Sequence, residues 1–75
     1  MSAVLTNNEQ SRAQMALTNS PFYELHNLQV DQRENTLLIS GRVSSFYEKQ
    51  LAQEVVRTVC NGIEVINSIL VEINE

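Results

Sequence analysis

With one cysteine in 75 residues, the chain can close no internal disulfide and presents no cysteine-based metal site. Its one histidine, His26, has no evident partner. Catalysis would need a nucleophile or a second acid–base group within hydrogen-bond reach, and a metal would need further ligands at motif spacing. Neither pattern is present, so the expectation is a chain that is not an enzyme, with no cofactor, no metal and no small-molecule substrate. Two glycines, Gly41 and Gly62, cannot make a glycine-rich phosphate loop. Tryptophan is absent, and the aromatics are Phe22, Tyr23, Phe46 and Tyr47, which leaves few stacking platforms for bases or sugars. Positive charge is scarce as well: Arg12, Arg33, Arg42, Lys49 and Arg57 stand against nine carboxylates, for a net charge of −4. Nucleic-acid binding normally requires a clustered cationic face, so no nucleic-acid partner is expected, and purely electrostatic attachment to anionic lipid is disfavoured by the same argument. No apolar run exceeds three residues, too short to span a membrane. Met1 to Gln10 lacks the basic and apolar regions of an export signal. As it stands the chain is expected in the cytoplasm, or in the periplasm if a signal has been trimmed.

What remains is an ordinary share of aliphatic residues, 43% apolar overall, enough for one small folded domain. A domain of this size buries roughly 60% of its unfolded surface, so its margin of stability is thin. Residues 1–5 read as a flexible tail and 6–75 as a single domain. Thr6 and Glu9 fit a capping box that opens a helix running to about Asn19, with Ala13, Ala16 and Leu17 as a narrow apolar stripe and Met15 off it. Ser20-Pro21 stops it. Glu24 to Asp31 reads as a strand with Leu28 and Val30 on one face, followed by a polar turn over Gln32–Asn35. Thr36 to Val43 is the clearest strand: Leu37, Ile39, Gly41 and Val43 face one way, Leu38, Ser40 and Arg42 the other. Ser45 and Glu48 form a second capping box. The period then changes to 3.6, with Tyr47, Leu51, Val55 and Val59 on a stripe widened by Ala52, Val56 and Cys60. Asn61-Gly62 supplies a left-handed helix stop. Ile63, Val65, Asn67, Ile69, Val71 and Ile73 then alternate with Glu64, Ile66, Ser68, Leu70 and Glu72 in a long last strand. The expected fold is α+β, in the order α-β-β-α-β: a three-stranded mixed sheet with two helices packed on one face, its β-α-β crossover right-handed.

Leu38-Ile39-Ser40-Gly41-Arg42-Val43-Ser44-Ser45, followed by a helix with Lys49, Ala52 and Val59 and then by Gly62-Ile63, Val65 and Asn67, resembles the BON (bacterial OsmY and nodulation) domain family. The resemblance runs from about Leu28 to Val71, and the family's preceding helix fits the first segment. One spacing departs from the family pattern: a single residue, Glu64, separates Ile63 from Val65 where two are usual. The resemblance implies a non-catalytic module that binds phospholipid surfaces or other proteins.

Each candidate residue has a plain alternative. Gly41 marks either a ligand approaching the backbone or, preferred, a bulge or close packing across the sheet. Gly62, Ser45 and Glu48 read as architectural. Arg42 is a candidate ligand contact for a phosphate or carboxylate, or else a solvated arginine paired with an acid such as Glu24. Lys49 and Arg57 lie near one helix face, diluted by Glu48 and Glu54. Cys60 falls on the apolar stripe and reads as a small core residue, as does Tyr47. On the face away from the helices, Leu38, Ile66 and Leu70 can form an exposed apolar patch, with Phe22, Tyr23 and Phe46 as further interface candidates. The alternative is scattered exposed aliphatics, normal on any surface. The expected function is a binding or adaptor module that self-associates or docks onto a protein through the sheet face or an edge. A membrane-surface or phospholipid-binding module is the second reading.

Overall fold

The computed structural model describes residues 9–73. The expected tail over 1–5 and the capping threonine Thr6 lie outside the described residues. Helix α1 spans Glu9–Thr18 and is only weakly amphipathic, burying Ala13 and Leu17. After Pro21 comes a correction: Glu24 to Asn27 is not strand but part of a 3-10 helix, Tyr23–Asn27. Its i to i+3 bonds run from the Leu25 N–H to Phe22 O (3.0 Å) and from the Leu28 N–H to Leu25 O (3.3 Å). Leu25 and Leu28, three residues apart, therefore fall on one side, and both are buried. Strand β1, Gln29–Arg33, starts only after this turn.

Strand β1 pairs antiparallel with β2, Thr36–Ser40, across a two-residue loop in which Glu34 takes a φ of +56°. β3, Arg42–Val43, leads into α2, Phe46–Val59, and the chain returns through β4, Glu64–Asn67, and β5, Leu70–Val71. β4 is parallel to β2 and β5 is parallel to β3, which gives a three-stranded mixed sheet in the order β1-β2-β4 and a short β3-β5 pair. The two expected long strands are thus each interrupted, but their register is not. Thr36 pairs with Glu64 and Arg42 with Leu70, the same offset on both sides of the break. Backbone N–H groups of Ser68 and Leu70 donate to Ile39 O (2.8 Å) and Gly41 O (2.9 Å) straight across it. One parallel ladder therefore runs the length of the crossover unit.

Gly41 is where the regular strand breaks, with φ +130°, a conformation that L residues avoid. It also makes room. A Cβ there would stand 2.7 Å from Leu28 Cδ2 and 3.3 Å from Leu28 Cα. The end of the 3-10 helix lies directly on the strand backbone, and no side chain fits between.

Both helices cover the same sheet face. Val30, Leu37, Ile39 and Val43 from the strands meet Ala13 and Leu17 of α1 and Ala52 and Val56 of α2, with Leu25, Leu28, Cys60 and Ile69 completing the core. The buried line of α2 is Ala52–Val56–Cys60, flanked by half-buried Leu51 and Val55. Tyr47, expected in the core, is 69% exposed in the first turn, and Val59 is exposed in the last. The helix stop is as read: Gly62 takes φ +82° just beyond the C-cap Cys60.

Gly41→Ala should lower stability by about 2–4 kcal/mol, combining backbone strain with overpacking against Leu28. Gly62→Ala meets open space and should cost about 1 kcal/mol, for the left-handed backbone alone. Urea unfolding of both variants measures the difference, and equal costs would remove the role assigned to the Leu28 contact.

Candidate docking surface

A sheet can bind through its faces or its edges, and the two edges here are chemically different. On the β1 side, Gln10 and Gln14 of α1, one helical turn apart, take the place of a neighbouring strand. Gln14 Oε1 accepts the Val30 N–H (2.9 Å) and its Nε2 donates to Leu28 O (2.9 Å). Gln10 Nε2 donates to Val30 O (2.8 Å), and its own N–H donates to Gln32 Oε1 (3.1 Å). The outward N–H and C=O of Val30 and the C=O of Leu28 are thereby satisfied, which closes the first half of this edge to an added strand.

The opposite edge is open. The N–H groups of Glu64, Ser68, Leu70 and Glu72 donate inward, to Asn35, Ile39, Gly41 and Val43. Alternation in a strand therefore turns the backbone groups of Val65, Asn67, Ile69 and Val71 outward. Among the described residues no strand pairs with that side of β4 or β5. The Ile69 N–H is met by Asn67 Oδ1 (3.2 Å).

Beside this edge, on the face away from the helices, lie Ile66 (43% exposed) and Leu70 (62% exposed). Leu38, half-buried, is the register partner of Ile66. The two line a shallow depression of about 580 Å³ together with Arg33, Glu34 and Thr36. Leu70 continues the same face further along, paired with Arg42. The structure thus brings Leu38 and Ile66 side by side. The apolar strip is narrow: across the sheet, Leu38 is opposite Asp31, which pairs with Arg33 (4.0 Å).

The helix side of the open edge is a groove of about 490 Å³ along α2. Phe46, Lys49, Gln50, Gln53, Glu54 and Arg57 form its wall, and Asn67 of β4 joins them. Asn67 Nδ2 donates to Lys49 O (2.8 Å) and to Gln53 Oε1 (3.2 Å), which fixes the strand against the helix.

At the end of the sheet the Ser44 hydroxyl, 2.9 Å from Glu24 Oε1, ties the 3-10 helix to the start of α2. Exposed Phe22 and Tyr23 on one side and Phe46 and Tyr47 on the other gather at this end. Ser45 caps α2, its Oγ accepting the Glu48 N–H (3.1 Å). The Glu48 carboxylate returns to the Ser44 N–H (3.1 Å), one residue before the usual partner in a capping box. Arg42 pairs with Glu72 (3.5 Å) rather than with Glu24. Carboxylates Glu24, Glu48 and Glu72 therefore stand at Ser44 and Arg42, at the same end of the sheet. His26 Nε2 lies 2.6 Å from Ser20 O, and its ring packs edge-on against Tyr23. Cys60 is buried, and burial pushes its thiol pKa above the ordinary 9.0, with the nearby Glu9 charge adding to the effect. Such a thiol stays protonated and unreactive near neutral pH.

A family model describing the BON domain matches residues 7–73, nearly the whole chain. The chain belongs to the BON domain family. Its members are non-catalytic binding domains, which agrees with a surface built from an open edge, an aliphatic strip and a polar groove. No curated protein matches this BON domain. Among its described residues no helix is long and apolar enough to cross a membrane.

Sequence reasoning passed over Gln10 and Gln14. Their one-turn spacing was visible, but their partners lie up to 22 residues away. Gln14→Ala would leave the Val30 N–H and Leu28 O without their partner, at a cost of about 1–3 kcal/mol. Amide hydrogen exchange at Val30 should accelerate in this variant while Ile39 stays protected. An unchanged Val30 rate would mean that the edge is closed by something else.

Proposed function

We propose that this BON domain is a protein-docking module that accepts an added strand along the β4–β5 edge. The observation that carries the reading is the contrast between the edges: glutamine side chains cover β1 at Leu28 and Val30, whereas Val65, Asn67 and Val71 turn unpaired backbone groups outward beside exposed Ile66 and Leu70. An added strand gains about 0.5–1.5 kcal/mol net per backbone hydrogen bond. Covering Ile66 and Leu70 adds about 1 kcal/mol each, because both are already partly shielded. A second copy of the chain is one such occupant, and for a core this small its association would add stability.

Titration of the labelled chain with a neutral peptide of alternating Thr and Val, followed by amide chemical shifts, tests this. Shifts should concentrate on residues 65–71 and leave Val30 unmoved. Ile66→Asp with Leu70→Asp should weaken binding at least about tenfold, the equivalent of ~1.4 kcal/mol. Shifts confined to α1 and β1, or none at all, would overturn the reading. Sedimentation of the chain alone tests its self-associating form, and a strict monomer at high concentration would remove that form.

The exposed aromatics favour a second reading, a lipid-surface module. Against it stand Glu24, Glu48 and Glu72 at the same end of the sheet, which repel anionic headgroups. Co-sedimentation should find the chain unbound to anionic vesicles. Retention on zwitterionic or anionic vesicles that is lost in Tyr23→Ala with Phe46→Ala would move the working surface to this end.

A further inference from the structure

We infer that the strand taken up at this edge carries acidic side chains on its helix-facing side and apolar side chains on the other. The inference rests on the docking reading and names the chemistry of the partner. Side chains of an added strand alternate between the two faces of the sheet. Those on the helix side enter the groove along α2, where Lys49, Gln53 and Arg57 recur every four residues and so share one stripe. Arg12, Arg33 and Arg42 each pair with a carboxylate. Lys49 and Arg57 have no such partner among the described residues, although both line the groove. Among the described residues the groove is thus where two cations stand without an ion-pair partner. Glu54, in the same wall, is the one opposing charge.

Spacing narrows the ligand further. Eight residues of helix separate Lys49 from Arg57 by about 12 Å along the axis. Residues i and i+4 of an extended strand, which share a face, lie about 13 Å apart. Short connections at both ends of α2 make it run back along the sheet. One bound strand can therefore set an acidic side chain at each cation, with the residue between them opposite Gln53. On the other face, one intervening position lies beside Ile66, and the position just beyond the Lys49 end lies toward Leu70, which suits Val or Ile at both. The occupant is an extended acidic–apolar alternating segment of a protein, held by backbone pairing and selected by charge.

Three peptides of equal length, about eight residues, make the test: alternating Glu-Val, Thr-Val and Lys-Val, titrated into the intact labelled chain. Glu-Val should bind about tenfold more tightly than Thr-Val at low salt, with the advantage shrinking as salt screens the pair. Lys-Val should bind most weakly. Lys49→Gln with Arg57→Gln should erase the preference of Glu-Val over Thr-Val, and Glu54→Gln should enlarge it. These are surface changes, and circular dichroism checks that the fold is kept. Equal binding of Glu-Val and Thr-Val at residues 65–71, or a preference for Lys-Val, overturns the charge selection and leaves docking standing. Failure of all three peptides overturns docking itself.

Discussion

The parallel ladder that passes through Gly41 is the constraint on which the rest of this BON domain depends. It keeps one register over both halves of the crossover unit, so alternation stays in phase from Leu37 to Val43 and from Val65 to Val71. Ile39, Val43 and Ile69 consequently remain buried while Ile66 and Leu70 stay outside. The ladder bends where the 3-10 helix rests on the strand, and only a residue without a side chain permits Leu28 to come so close. The same contact fixes where β1 begins. It also brings Glu24 to Ser44 and so decides which residues share the end of the sheet. A backbone requirement at one residue thus organises three separate surfaces.

The first helix shows how a small core is used economically. α1 buries little beyond Ala13 and Leu17, a weak reason for a helix to dock. Its glutamines give it a second: they satisfy strand groups that would otherwise be left exposed at an edge. Docking the helix and closing the edge are one event, because the residues facing the core and those facing the strand lie on adjacent lines of the same helix. Detaching α1 would open β1 to pairing, so the stability of this helix bears directly on which edge is available.

Much of this was legible in the sequence, and the reasons are local. Period-2 alternation over Thr36–Val43 and Ile63–Ile73 predicts strand content and faces, and parity puts Leu38 and Ile66 on the face away from the helices, whereas their adjacency depends on the strand order, which the sequence does not specify. Ser45 was readable because a cap acts within one turn. What failed was non-local or ambiguous. Leu25 and Leu28, three apart, suit a 3-10 turn as well as a strand's end, and only packing onto Gly41 decides between them. On α2, the lines 47–51–55–59 and 52–56–60 are equally apolar. The sheet covers the second and leaves Tyr47 beyond its end. The edge contacts of Gln10 and Gln14 have no local signature at all.

An open edge flanked by aliphatics is a hazard as well as the proposed site, since any extended chain can pair with it. The charges along the strand limit which chains do. If two copies met edge to edge, antiparallel about Ser68, Ile66 of each would face Leu70 of the other, a favourable cross-strand pair. The same register sets Glu64 opposite Glu72 twice, and like charges directly opposed are destabilising. Self-pairing therefore gains apolar contact and loses it to repulsion on one face. An acidic–apolar segment avoids that opposition by presenting its carboxylates to the other face, toward Lys49 and Arg57. In the proposed docking mode the chain's negative charge and the two cations of the groove act together: the first discourages indiscriminate pairing, and the second rewards a strand in one orientation of its two faces.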